Sequence, residues 1–219
     1  MKALSFNKWN QINEAVIDWK DHEGLQEFYD DASELLELYG NRANVKYLEL
    51  SDLKAIGEHN GIEIVTYDEF LDELPEEAKH TAPPRQAGLF ALVNPETGGP
   101  RVVISIPKID KRALDHIFHM LKHESIHIEQ FKRRGDVETP MNDPQDQPAY
   151  FSNKDEVMAF SHSIADMLIS SGRYDNVEDA MADLETIRLY NTIKKNVDNK
   201  ILKRYHKYIY VYLQKEIQE

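Results

Sequence analysis

Residues 110–134 read DKRALDHIFHMLKHESIHIEQFKRR, a stretch without Gly or Pro in which Ala113, Leu114, Ile117, Leu121 and Ile128 recur at helical spacing. Asp110 offers an N-cap, and Lys132, Arg133 and Arg134 running into Gly135 offer a stop, so a helix is predicted over residues 110–134. At about 100° per residue, Leu114, Ile117, Phe118, Leu121 and Ile128 lie on the half opposite His123, while Lys122, Glu129 and Arg133 mark a solvated flank. A third face carries His116, His119, His123, His127 and Gln130. It is poor in the charges that solvated faces usually hold, and it reads as the floor of a site.

Within this helix, residues 123–127 form an H-E-x-x-H sequence. Two histidines four residues apart stack on one face and can grip one Zn²⁺, with Glu124 beside them as a general base. With nine histidines in the chain, chance makes this pattern in roughly one such chain in thirty, and the helical context is what raises it above chance. A hydrolytic zinc site takes three protein ligands and keeps one position for water, so one ligand remains to be found. Residues 150–160 open a second helical pattern reaching about residue 170, after a cap at Ser152 or Asn153. Glu156, in its first turn and 29 residues beyond His127, is the expected ligand, because Ala159 one turn on allows close approach. Asp155, His162 and Asp166 compete for that role. Asp155 points about 100° away from Glu156, and His162 lies nearly two turns further along. A carboxylate-bridged di-iron bundle would need a second E-x-x-H, and residues 156–159 end in Ala.

The H-E-S-I-H run with Gln130, followed by Glu156-x-x-Ala159, Phe160 and an Ala165-x-x-Leu168-Ile169 tail, resembles the small gluzincin-type zincin metallopeptidases. These include the ImmA/IrrE group and phage-borne relatives, and the likeness covers residues from about 87 to 170. The ligand loop here is longer and more acidic than theirs. The resemblance implies His123, His127 and Glu156 as zinc ligands and Glu124 as general base. It also implies a hairpin before the metal helix that offers an extended peptide an edge strand, near residues 101–107. Residues 89–93 and 102–106 supply β-rich runs joined by residues 94–100. Tyr150, His119, His162 or Tyr190 could donate to the oxyanion, and Gln130 is expected to hold a ligand in place. A solvated or packed histidine is the ordinary alternative for His116 and His119.

Composition bounds the function. There is no cysteine, so neither disulfides nor thiolate zinc sites are available. No run of about 18 apolar residues and no apolar leader occurs, which points to a cytoplasmic chain without a membrane partner. A net charge of −13 argues against nucleic acid and for solubility or a basic partner. Positive charge concentrates only at Lys194, Lys195, Lys200, Lys203, Arg204 and Lys207, which read as a solvated face.

The flanks are largely helical. Helices are expected at residues 6–19 and 22–39 (ending at Gly40), 51–59, 67–74, 176–191 and 198–218, with strand-like runs at 47–50 and 62–65. On the last helix Ile201, Tyr205, Tyr208, Ile209, Tyr212 and Leu213 form a stripe that reads as core. The loop at residues 81–85 is the expected boundary between a helical region with short strands, 1–80, and a zincin-like domain, 81–219. The whole reads as α+β and mostly helical, with a small sheet before the metal helix and helices of both ends around it. The expected activity is zinc-dependent hydrolysis of a peptide bond in a protein or peptide substrate. The alternative is a zincin-fold binding or structural protein without catalysis.

Overall fold

A computed structural model describes residues 22, 24–43, 45–80, 82, 83, 85, 88–94, 97–134 and 146–218. The helix expected over residues 6–19 and most of the acidic loop at 135–149 lie outside these residues. The described chain is α+β and mostly helical, and it gathers into two compact units, within residues 18–136 and 137–219.

In the first unit the elements run α1 (Leu25–Ala43), β1 (Leu48–Glu49), α2 (Leu50–His59), β2 (Glu63–Thr66), α3 (Tyr67–Glu73), α4 (Glu76–Lys79), β3 (Leu89–Val93), β4 (Pro100–Ile104), β5 (Lys108–Ile109) and α5 (Lys111–Arg133). Helix α1 passes through Gly40. A helical Gly costs only about 1 kcal/mol, and the buried Leu25, Phe28, Ala32 and Leu36 outweigh it. Thr66 starts α3 with a reciprocal cap: its side chain accepts from Glu69 N at 3.1 Å, and Glu69 Oε2 accepts from Thr66 N at 2.6 Å.

The sheet has the order β2-β4-β3, with β2 parallel and β3 antiparallel to β4. This corrects the expected peptide-binding strand at residues 101–107. Strand β4 is central, bonded on both sides, and all five of its residues are buried. Consecutive apolar residues such as Val102, Val103 and Ile104 are the mark of a strand covered on both faces, not of an edge. The edge next to it toward α5 is β3, whose residues are all half-buried. Strands β2 and β4, which precede and follow residues 81–85 in sequence, pair with each other within the first unit.

The second unit comprises α6 (Gln147–Ser152), α7 (Lys154–Ile169), α8 (Val177–Ala182), a 3₁₀ turn (Leu184–Thr186), α9 (Arg188–Asn196) and α10 (Asn199–Gln218). Helix α6 was not anticipated; Asp146 caps it and Pro148 sits in its first turn, where a missing N–H costs nothing. The single helix expected over residues 176–191 is two. Ile187 takes an extended conformation, and the Asp183 carboxylate just before it accepts from the Tyr174 hydroxyl at 2.9 Å. Helices α7 and α10 pack most extensively, with Val157, Ala159, Ile164 and Leu168 against Tyr205, Tyr208, Ile209 and Leu213. The aromatic stripe of α10 is thus core, as its spacing predicts. Among the described residues no helix is long and apolar enough to cross a membrane.

Candidate metal centre

Helix α5 begins where predicted, with the Asp110 carboxylate accepting from Ala113 N at 2.8 Å. Leu114, Ile117 and Leu121 are fully buried, and their burial fixes the rotation of the helix and with it the direction of the histidine face. His123 and His127 meet there edge to face, ring centroids 4.9 Å apart, with their Nε2 atoms separated by 3.2 Å. His127 Nδ1 lies 2.9 Å from Gln130 Oε1. An amide oxygen only accepts, so His127 carries its proton on Nδ1 and turns a lone pair on Nε2 toward His123. Gln130 is 5% exposed, so this bond is sheltered from water.

Asn153, one of the two caps expected, starts α7 by accepting from Asp155 N at 2.9 Å. That places Glu156 in the first turn, with Oε2 buried, and Ala159 wholly buried one turn on. The Tyr205 hydroxyl donates to the Phe151 carbonyl at 2.9 Å. Its pKa is pushed far up, first by burial and then by the negative charges of Glu156 and Tyr150. Tyr205 therefore neighbours Glu156 but spends its proton elsewhere. Sequence reasoning assigned Tyr205 to the core only; 49 residues separate it from Glu156, and no local pattern links them.

One ligand atom from each of His123, His127 and Glu156 lies within 4.8 Å of the other two, and the three could hold a metal ion. The donor set fits one. Zn–N bonds of about 2.0–2.1 Å at tetrahedral angles place two nitrogens about 3.3 Å apart, close to the 3.2 Å between these Nε2 atoms. Two imidazoles and one carboxylate also leave a position open for a water. Asp155, His162 and Asp166, the competing ligands, are not in the group.

The other candidates are placed as follows. Glu124 is half-buried on α5 next to His123, and His119 is half-buried one turn before it. Tyr150 packs its ring against Phe151 and Phe160, with centroids at 5.6 and 5.8 Å. His162 is buried edge-on against Tyr212, at 4.9 Å. The Tyr190 hydroxyl bonds His206 Nε2 at 2.8 Å; burial raises the pKa of Tyr190 and lowers that of His206. A cavity of about 860 Å³ in the first unit holds none of these residues. Its buried Arg101 is bonded through Nε and Nη2 to Glu63, and through Nη1 to Glu73, at 2.5–2.6 Å. Such a closed ion network joins β2, α3 and β4 and reads as structural. Comparison of the chain with protein-family models, curated proteins and solved structures found no match. What the protein does must therefore be read from His123, Glu124, His127, Gln130 and Glu156 themselves.

Proposed function

We propose that the chain is a zinc-dependent metalloendopeptidase of zincin type, with His123, His127 and Glu156 as ligands and Glu124 as general base. The observation that carries this reading is the convergence of the three ligand atoms within 4.8 Å, with the expected base beside one of them in sequence. A zinc ion bound there would supply a Lewis acid that polarises the scissile carbonyl and lowers the pKa of a water toward about 7. Glu124 takes the proton of the attacking water and returns it to the leaving amine as the C–N bond breaks. Gln130 holds His127 in the tautomer that presents Nε2.

The substrate would lie extended along β3, an edge strand of uncharged residues, Leu89, Phe90, Ala91, Leu92 and Val93. Of the four oxyanion donors considered, Tyr190 is committed to His206, and His162 is buried against Tyr212. The other two candidates are Tyr150, three residues before the Asn153 cap of the Glu156 helix, and His119, one turn before His123 on α5. The test is incubation of wild type and Glu124→Gln with a cell lysate, followed by mass spectrometry of new protein termini. Zinc-dependent termini that fall by about 10²-fold or more in the variant support the reading. Identical termini from both proteins, or none from wild type, favour a binding protein instead.

A further inference from the structure

Residues 194–207 contain six Lys and Arg against one acid, Asp198, leaving 20 of the chain's 26 Lys/Arg and 38 of its 39 Asp/Glu elsewhere. This stretch thus carries +5 in a chain that is otherwise −18. Its placement concentrates the charge. Lys194 and Lys195 lie in the last turn of α9, and Lys200, Lys203, Arg204 and Lys207 in the first turns of α10, joined only by Val197 and Asp198. On α10 the spacing i, i+3, i+4, i+7 aligns the four cations along one stripe about 10 Å long. That stripe lies opposite the buried face of Tyr205, Ile209 and Tyr212. Lys194, Lys195, Lys200 and Lys203 are exposed, and Arg204 and Lys207 half-buried. Of the six, the ion pair present among the described residues is that of Lys194 with Glu185.

The four like charges of the α10 stripe repel one another, with Lys195 unpaired by any described acid at the end of α9, and an anionic partner relieves that repulsion. We infer that the α9–α10 ridge is a docking surface for a short acidic segment of a partner protein. Three features select this occupant. The ridge matches a few carboxylates in length, whereas a nucleic acid or a membrane reaches beyond it into the field of the −18 remainder. No exposed residue between 194 and 207 is aromatic, so the ridge offers no ring on which the bases of a single-stranded nucleic acid could stack. The stripe carries no large apolar residue of the kind that anchors a helix in lipid.

The inference does not depend on the peptidase reading and is tested by binding, not turnover. A short fluorescent poly-glutamate peptide is titrated with the full chain and followed by anisotropy, against an uncharged Gly-Ser peptide. Binding should be selective for the acidic peptide, should weaken as salt rises, and should fall about tenfold or more in K200E/K203E/R204E. His123→Ala should bind it as wild type does. Circular dichroism verifies the fold of the variant, and K200Q/K203Q replaces it if the reversal unfolds. Equal binding of both peptides, no loss in the variants, or tighter binding of a single-stranded oligonucleotide or of phosphatidylserine vesicles would overturn the assignment.

Discussion

Replacing Gln130 by Ala removes the acceptor that faces His127 Nδ1 at 2.9 Å without touching a ligand. With the acceptor gone, the imidazole is free to rotate and to place its proton on either nitrogen, and only one tautomer presents Nε2 to a metal. Partners of this kind are worth about 10- to 100-fold in metal affinity, or about 1.4–2.7 kcal/mol. Because Gln130 is 5% exposed, truncation also leaves a small void, so the metal-free stability must be measured alongside and subtracted. The assay is competition for Zn²⁺ against a chromophoric chelator, with urea unfolding of the apo form as the control. Glu at the same position still accepts from Nδ1–H, so Gln130→Glu should recover most of the loss. Zinc affinity in Gln130→Ala equal to wild type would show that the bond is incidental and that His127 is not oriented for a metal.

Other consequences are as direct. His123→Ala or His127→Ala should abolish stoichiometric zinc by metal analysis, and Glu156→Gln should weaken it markedly while Asp155→Asn leaves it unchanged. Tyr205→Phe deletes a buried hydroxyl donating to the Phe151 carbonyl and should cost about 1–1.5 kcal/mol in urea unfolding with little change in zinc content. The Lys54 ammonium and the Thr66 backbone hold the Glu69 carboxyl down at about 2. The stability it contributes is therefore present above its ordinary pKa and lost as pH falls from about 4.5 toward 2, so Glu69→Gln should flatten acid unfolding over that window.

The metal helix was legible because everything that fixes it is local: the Asp110 cap, the spacing of Leu114, Ile117 and Leu121, and the H-E-x-x-H that repeats on one face. Gln130 was legible too, three residues beyond His127 on the same face. Glu156 was reachable because Asn153 caps its helix and Ala159 sets how close another helix could come. What escaped was non-local. Whether β4 is a central or an edge strand depends on the parallel partner β2, some 38 residues earlier by register, and no turn signal reports a parallel pairing. Tyr205 escaped for the same reason, since its contact with the Glu156 region is made through tertiary packing. At the break between Asp183 and Ile187, Asp183 accepts from Tyr174, a contact that helical periodicity does not reveal.

The central claim is that His123, His127 and Glu156 hold one zinc ion. Anomalous diffraction from crystals of the zinc-loaded chain, collected on both sides of the zinc edge, tests it most directly. The account predicts a single anomalous peak bonded to the Nε2 atoms of His123 and His127 and to the Glu156 carboxylate, retained in Glu124→Gln. A peak centred on His116 and His119, on Asp155, or on no protein ligand at all would contradict it.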